Sequence, residues 1–243
     1  MRIIKINTCL LFVILLTSCT NSVWVHRDFD NIKDNIETIS VMPTQVEYYK
    51  RNAGSTEPEP EHNLEVSNNV HTALTEVLEE KGFIVKPTGL NDSILATNED
   101  LAMSFTRSIK RFHIICDSVG KSETKKETYK MNPEVDVFAD SADVDYLLFS
   151  RGIAYGTSEG GKVKDAVLTA LFNPGRFTQT EGLTLDLLLI DANIKEAIWY
   201  NTNWPTTNYD PLSLKSVKNL CDKLLVNKQN SGSKTILNWI KVF

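Results

Sequence analysis

VDYLLFSRGIAYG, residues 144–156, is a strongly apolar run of the length expected for the central strand of a sheet, and it decides the fold. The stretch GTSEGG, residues 156–161, predicts a turn after it. Two further apolar runs follow, LTLDLLLID at 183–191 and EAIWYNTN at 196–203, and only four residues separate them. That spacing predicts an antiparallel hairpin, so we expect a sheet built around residues 144–156.

Asp186 interrupts the leucines of the first hairpin strand. Two interpretations stay open from the sequence. The carboxylate either lies at an exposed position of the sheet or forms a buried pair with Arg151, which belongs to the strand before it.

The elements upstream follow from periodicity. A first strand is predicted at Glu37–Tyr48, where Pro43 should end regular pairing or mark an edge. A helix that ends at Gly82 is predicted next, and Phe83–Lys86 predicts a short strand after it. The buried face of that helix is marked by helical spacing of apolar residues at Val70, Ala73, Leu74, Val77 and Leu78.

Two further helices are predicted from their caps. One begins at Asn98, and the last has Asp210 as its cap and Pro211 at its first helical position. The polar stretches at 50–63 and 117–142 predict loops.

The predicted order of elements is β, α, β, α, β, α, β, β, α. This order indicates an α/β fold, in which a mixed β-sheet carries packed helices in a single domain at residues 37–243.

The amino terminus has the pattern of an export signal. Arg2 and Lys5 precede an apolar run at residues 9–16, and those eight residues are far fewer than the roughly 20 that span a bilayer as a helix. The run is therefore interpreted as the core of a signal peptide at residues 1–18.

The next motif, Leu16-Thr17-Ser18-Cys19, resembles the lipobox of bacterial lipoproteins. The resemblance implies that signal peptidase II recognises Leu16, Thr17 and Ser18, that diacylglycerol is attached to the Cys19 thiol, and that a fatty acid such as palmitate acylates its amine. Thr20 at the following position implies the cell outer membrane, with the domain facing the periplasm. The alternatives are an ordinary secretory peptide with a cysteine at this position and a short apolar tail that is not cleaved.

Residues 19–36 are predicted to be the lipidated cysteine and a polar tether. Trp24 and Phe29 within it either dock on the domain or simply space it from the membrane.

Net charge limits the partners. Loss of residues 1–18 removes Arg2 and Lys5 and no acid, so the formal charge goes from −5 to −7. A negative chain argues against nucleic-acid binding and against a polybasic membrane patch.

Two of the four cysteines stay unassigned after processing, Cys116 and Cys221. They either form a disulfide in an oxidising compartment or lie unpaired on apolar helix faces. No Cys/His cluster with metal-ligand spacing occurs, so we expect no metal and no cofactor.

The run VKDAVLTALF, residues 163–172, predicts a helix that is apolar nearly all round. Such a helix is either enclosed by its own domain or covered by another molecule. We take it as the preferred contact surface for a protein partner or a second copy, formed by Val167, Leu168, Leu171, Phe172 and Phe177.

Candidate catalytic and ligand groups are sparse. Asp143 and Asp145 precede the central strand and could act as an acid/base pair, but aspartates at a strand start more often face solvent. His113 and Cys116 stand three residues apart on a helix, but they have no further ligands in view. EGGK at 159–162 resembles half of a phosphate loop, although Val163 occupies the place of the Ser or Thr that holds magnesium. No catalytic motif is found, so we expect no enzyme.

Four stretches resemble bacterial lipoproteins related to the amino-terminal domain of TolB and the periplasmic part of CsgG-like proteins: ETISVMP, LTEVLEEKGFIV, VDYLLFSRGIA and LTLDLLLIDANIKEAIWYNT. The resemblance implies a structural or assembly component of the envelope that binds envelope proteins or self-assembles. Two alternatives stay open, a binder of small ligands or glycans that uses Trp199, Tyr200 and Trp204, and an uncharacterised hydrolase.

Overall fold

The computed structural model of the protein describes residues 23–121, 128–163, 181–203 and 209–226. Over these residues the fold is α/β, with one mixed sheet and helices packed on it, as predicted. No helix in the described ranges is both long enough and apolar enough to cross a membrane.

Eight strands form the described part of the sheet: β1 (Trp24–Val25), β2 (Thr38–Val41), β3 (Gln45–Arg51), β4 (Thr56–Pro58), β5 (Ile84–Val85), β6 (Tyr146–Thr157), β7 (Gly182–Asp191) and β8 (Glu196–Thr202). Their order is β1-β8-β7-β6-β2-β5, and β3 pairs with β6 and β4. β2 and β3 both run parallel to β6, one along each half of it.

The helices of the described ranges are α1 (Phe29–Ile32), α2 (Asn63–Glu80), α3 (Asp92–Thr97), α4 (Glu99–Lys121), α5 (Val135–Ala142) and α6 (Leu214–Val226), with 3₁₀ turns at Lys33–Asn35 and Pro60–His62. α2 and α6 bury their apolar stripes against one face of the sheet, and α4 and α5 against the other. Side chains along β6 alternate between the two faces of the sheet. Leu148 belongs to the buried cluster on the α2 and α6 side, whereas Leu147 and Phe149 belong to the buried cluster on the α4 and α5 side.

The strand at residues 144–156 is central, as predicted. β6 pairs with β2 and β3 on one side and over ten residues with β7 on the other. The antiparallel β7–β8 hairpin is also confirmed. Its turn places Lys195 at a positive φ of 56°.

The predicted first strand at Glu37–Tyr48 is two strands. Pro43 lies between β2 and β3, because a residue without a backbone N–H cannot donate to the ladder. Both strands nevertheless pair with β6, so the break at Pro43 interrupts the strand but both parts stay in the sheet.

Both predicted loops are wrong in part. Within 50–63, β3 and β4 pair as an antiparallel hairpin and a 3₁₀ turn follows. Within 117–142, α4 continues to Lys121, and α5 buries Val135 and Phe138. Amino-acid composition does not predict a short buried stripe within a polar stretch, because the surface that buries it comes from distant parts of the chain.

The predicted tether is mostly part of the body. Trp24 pairs with Tyr200 in the sheet, and Trp24 and Phe29 are buried, so the docking alternative is confirmed. The last helix also begins later than predicted, because Asp210 forms a turn by accepting from the Leu212 N–H at 3.0 Å and α6 starts at Leu214.

Candidate binding face

On one half of the sheet, side chains of the described residues stay exposed on the face that α4 and α5 cover elsewhere. On the α4 side, the Phe112 ring packs 5.6 Å from the Phe149 ring, and Asp117 of the same helix reaches Arg151. The next side chains of β6 on that face are Ile153 and Tyr155, and Ile153 is 41% exposed. We define the open face by its exposed or half-buried members: Gln45, Glu47, Tyr49, Arg51, Arg151, Ile153, Tyr155, Thr184 and Asp186.

Strand register assembles this face. Gln45, Glu47 and Tyr49 of β3 lie opposite Arg151, Ile153 and Tyr155 of β6. On the other side of β6, Asp186 lies opposite Arg151 and Thr184 opposite Ile153. Because side chains alternate between the faces of a strand, all of these residues project on one side.

Arg151 is the centre of a charge network at the edge of α4. Its Nε donates to Asp186 at 2.8 Å, and its second guanidinium nitrogen donates to Asp117 at 2.7 Å. The Tyr200 hydroxyl donates to the other oxygen of Asp186 at 2.7 Å. The structure therefore confirms the Arg151–Asp186 pair, the second of the two interpretations left open by the sequence.

Burial opposes the charge on Arg151, but hydrogen bonds to Asp117 and Asp186 outweigh it, so the pKa of the guanidinium is raised. The Tyr200 pKa is also raised, first by burial and then by the negative charge of Asp186. These shifts hold the guanidinium charged and the phenol neutral, which is the state that the geometry requires.

A second cluster of the open face is aromatic. The rings of Tyr49 and Tyr155 lie 5.9 Å apart, and the Arg51 guanidinium sits 4.5 Å from the centre of the Tyr155 ring. The Tyr49 hydroxyl donates to Glu47 at 2.7 Å, and this bond raises the pKa of the phenol. The cluster therefore combines two large rings with a cation and an anion.

Between these clusters lies a cleft of about 380 Å³. Its charged lining consists of Glu47, Asp117, Asp186 and Arg151, which gives an excess of negative charge. His113 also lines it, and burial followed by repulsion from Arg151 lowers the pKa of the imidazole. The cleft is complementary to a cationic group such as an ammonium or guanidinium.

Gly152 allows the strands at the floor of the cleft to approach. A Cβ at this position would lie 2.6 Å from the Thr184 carbonyl oxygen and 2.7 Å from the Leu185 side chain. The backbone of β7 occupies the space that any larger residue would need.

Asp143 and Asp145 do share a cleft, of about 500 Å³. Lys86 donates to Asp143 at 2.6 Å and lowers the pKa of its carboxyl, while Asn193 donates to Asp145 at 2.9 Å. No histidine is among the described residues that line this cleft. Both carboxylates thus accept a hydrogen bond from a neighbouring side chain in this cleft.

Of the two alternatives left open for Cys116 and Cys221, the structure shows the unpaired one. Cys116 and Cys221 are both free and buried, and they belong to the two different buried clusters on opposite faces of the sheet. Burial raises the pKa of both thiols. In the described ranges no group of three or more His, Cys, Asp or Glu side chains is placed to hold a metal, so His113 and Cys116 gain no further ligands.

Two of the aromatic residues considered for glycan binding are buried and cannot contact a glycan at the surface. Trp199 is fully buried and Tyr200 is 2% exposed, because both pack into the two buried clusters. Trp204 lies outside the described residues.

Other predicted sites fall outside the described ranges as well. They are the lipobox Leu16-Thr17-Ser18, the lipidation site Cys19, and the contact residues Val167, Leu168, Leu171, Phe172 and Phe177. Residues 159–163, where EGGK predicted a turn, are helical.

Sequence reasoning missed the open face. A sequence signal for this face is the stretch QVEYYKR, residues 45–51. There the buried Val46 and Tyr48 alternate with Glu47 and Tyr49, which lie on the open face. The predicted loop at 50–63 overlaps only the last two residues of this strand, and the alternation up to Tyr48 lies within the predicted first strand.

Comparison with known proteins gives little support for identity. No protein-family model and no curated protein matches the chain. Among solved structures, the PelC dodecamer from Paraburkholderia phytofirmans matches in two crystal forms. The TM-scores are 0.36 and 0.34 at 10% sequence identity, over 85% of this chain and 95% and 96% of PelC. These values are too low to assign a family, and the resemblance to TolB-like and CsgG-like proteins stays a prediction.

Proposed function

We propose that this protein is a lipid-anchored component of the bacterial cell envelope that acts by binding a partner protein at the open face. The observation that carries the binding role is the open half of the sheet around Ile153, where rings, charges and an apolar side chain share one rigid surface. The anchor rests on the export signal and the lipobox that ends at Cys19.

The composition of the open face fits protein recognition. Tyrosine and arginine are enriched in protein interfaces and dominate their energetic centres. Here Tyr155 contacts both Tyr49 and Arg51 across paired strands, so these side chains have little freedom left to lose on binding.

The acidic cleft beside them specifies the charge of the partner. Glu47 and Asp117 flank Arg151, whose own charge is already matched by Asp186. We therefore propose that the partner inserts a lysine or arginine side chain next to Glu47, with its apolar stem against Ile153.

Binding is tested by crosslinking in intact cells. A photoreactive residue at Ile153 should give a defined crosslinked species, whereas the same residue at Ile194 should not. Ile194 is a matched control, since it is 47% exposed but lies in the β7–β8 turn.

A pair of charge variants sharpens the result. Ile153→Glu should abolish the crosslink from a neighbouring open-face position, and Ile194→Glu should leave it intact, with unchanged melting temperatures for both. Equal crosslinking by both variants would argue against the open face as the binding surface.

Lipidation is tested by intact mass of protein extracted from its native membrane. A diacylglyceryl and acyl adduct on a chain starting at Cys19 is expected, and Cys19→Ala should release the protein from the membrane. A bare Cys19 at the mature amino terminus would contradict the anchor.

Saccharide binding is the second candidate, because Tyr49 offers an aromatic ring next to the polar side chains of Gln45 and Glu47. A soluble form that starts at Thr20 should then melt at a higher temperature with muropeptides, and Tyr49→Ala should remove the shift. Light scattering on the same form reports whether it self-associates.

A further inference from the structure

The first described residues lie close in sequence to Cys19. Val23 and Trp24 are each only 4% exposed, and Trp24 pairs with Tyr200 at the edge of the sheet. The His26 N–H also donates to the Ile198 carbonyl at 3.0 Å, which extends this attachment. The amino-terminal segment is thus fastened to β8 from its first described residue.

Chain length then limits the distance to the membrane. Cys19 precedes Val23 by four residues, so their Cα atoms lie at most about 14 Å apart, whatever the conformation between them. A free tether up to residue 36 would instead have allowed about 60 Å. A folded domain of this length has a diameter of roughly 45 Å, so a 14 Å span cannot hold the body away from the surface.

We infer that the β1 edge of the sheet is seated at the lipid surface and that the open face meets only partners held close to the same membrane. This inference rests on the lipidation of Cys19 in the proposed function. It adds the surface on which the body sits and the location of the partner.

The second part follows from the sheet geometry. Trp24 lies in one row with Tyr200, Leu188 and Phe149 across neighbouring strands. Tyr155 is three strand spacings and six residues along β6 from Trp24, which amounts to about 25 Å. Added to the span from Cys19 to Trp24, this places the Tyr155 end of the open face within about 45 Å of the lipidated residue.

Charge does not provide the attachment. Two basic groups near this edge, Arg27 and Lys130, are 62% and 74% exposed, and an acidic side chain lies close to each of them. Asp28 lies 3.3 Å from Arg27, and Glu196 lies 3.9 Å from Lys130. Anionic lipids attract clusters of unmatched basic residues, so we expect the seat to depend on the acyl chains and to persist in high salt.

The test measures which side of the body touches lipid. Lipidated full-length protein carrying Arg27→Cys or Gly54→Cys is labelled with a fluorophore and placed in vesicles whose lipid headgroups carry a nitroxide quencher. Position 54 lies in the β3–β4 turn, and a side chain there meets nothing within 4 Å. Cys116 and Cys221 are buried and stay unlabelled in the folded protein.

Quenching should be several-fold stronger at position 27 than at position 54, and it should not change in high salt. An insertion of about twelve Gly and Ser residues between Ser22 and Val23 adds roughly 20 Å of average reach and should remove most of the difference.

Equal quenching at the two positions would overturn the seat. A difference that survives the insertion would overturn the short span from Cys19 as its cause. Intact mass is measured on the same samples. An unmodified Cys19 therefore refutes the proposed anchor, whereas a modified Cys19 with equal quenching refutes only the seat.

Discussion

The Arg151–Asp186 pair offers the sharpest test of the fold around the open face. The two charged groups meet at 2.8 Å, and their side chains are only 23% and 18% exposed. Arg151→Met removes the cation and leaves Asp186 with the Tyr200 hydroxyl as its remaining donor among the described residues. Asp186→Asn and the double variant complete a double-mutant cycle.

The magnitude follows from burial and distance. Two unit charges at about 4 Å attract by about 4 kcal/mol at the effective dielectric of a protein, and breaking a buried pair costs about 3–5 kcal/mol. Because a fifth of each side chain still meets water, we expect Arg151→Met to lower the free energy of unfolding by about 2–4 kcal/mol. The coupling energy of the pair should be about 1–3 kcal/mol.

Urea denaturation of a soluble form that starts at Thr20 measures these values. Arg107 and Glu134 provide the control cycle, since they lie 3.1 Å apart but Arg107 is 62% exposed. That pair should couple by less than about 1 kcal/mol. Equal coupling in the two cycles would refute the reasoning, because burial would then not determine the strength of the Arg151 pair.

Three further predictions address the interior. Gly152→Ala should lower the free energy of unfolding by about 1–3 kcal/mol, because the new methyl group meets the β7 backbone. Gly54→Ala is the control, since a methyl group there has open space and should leave the free energy of unfolding unchanged. Equal midpoints of urea denaturation for the two variants would contradict the clash at Gly152. Cys116 and Cys221 should resist a thiol reagent until the protein is denatured, and both should then react; rapid reaction of the native protein would contradict their burial. Burial lowers the pKa of His71 below its ordinary 6.5, so the unfolded chain binds a proton at a higher pH than the folded protein does. The contribution of His71 to stability should therefore be complete above pH 6.5 and fall as the pH drops below it. His71→Gln should reduce that fall when the melting temperature is measured against pH.

Much of the fold could be predicted because its elements carry their own periodicity. Residues 144–156 are so apolar that a central position in the sheet is the expected one. The apolar residues from Val70 to Leu78 recur at helical spacing and form one buried face of α2. The β7–β8 hairpin follows from two apolar runs joined by four residues. These are local patterns, and the hydrophobic effect acts on them in the same way in any compact fold.

The candidate site could not be predicted in the same way. The pair of Arg151 with Asp186 was one of two interpretations, and only strand register decided between them, since the two residues are 35 positions apart. The open face consists of side chains from three strands, and each strand alone looks like an ordinary surface strand. The separation of Cys116 from Cys221 likewise depends on which face of the sheet each helix covers.

The sequence by itself determined the class of the fold and the central strand, because each follows from consecutive residues whose spacing has a direct physical meaning. The export signal at residues 1–18 stays a prediction from the sequence. Only the tertiary structure decided that residues 23–36 belong to the body, that α5 is buried, and that described side chains on one half of the sheet stay exposed. The physical reason is that burial and charge pairing depend on the neighbour that the folded chain supplies, and that neighbour lies far away in sequence.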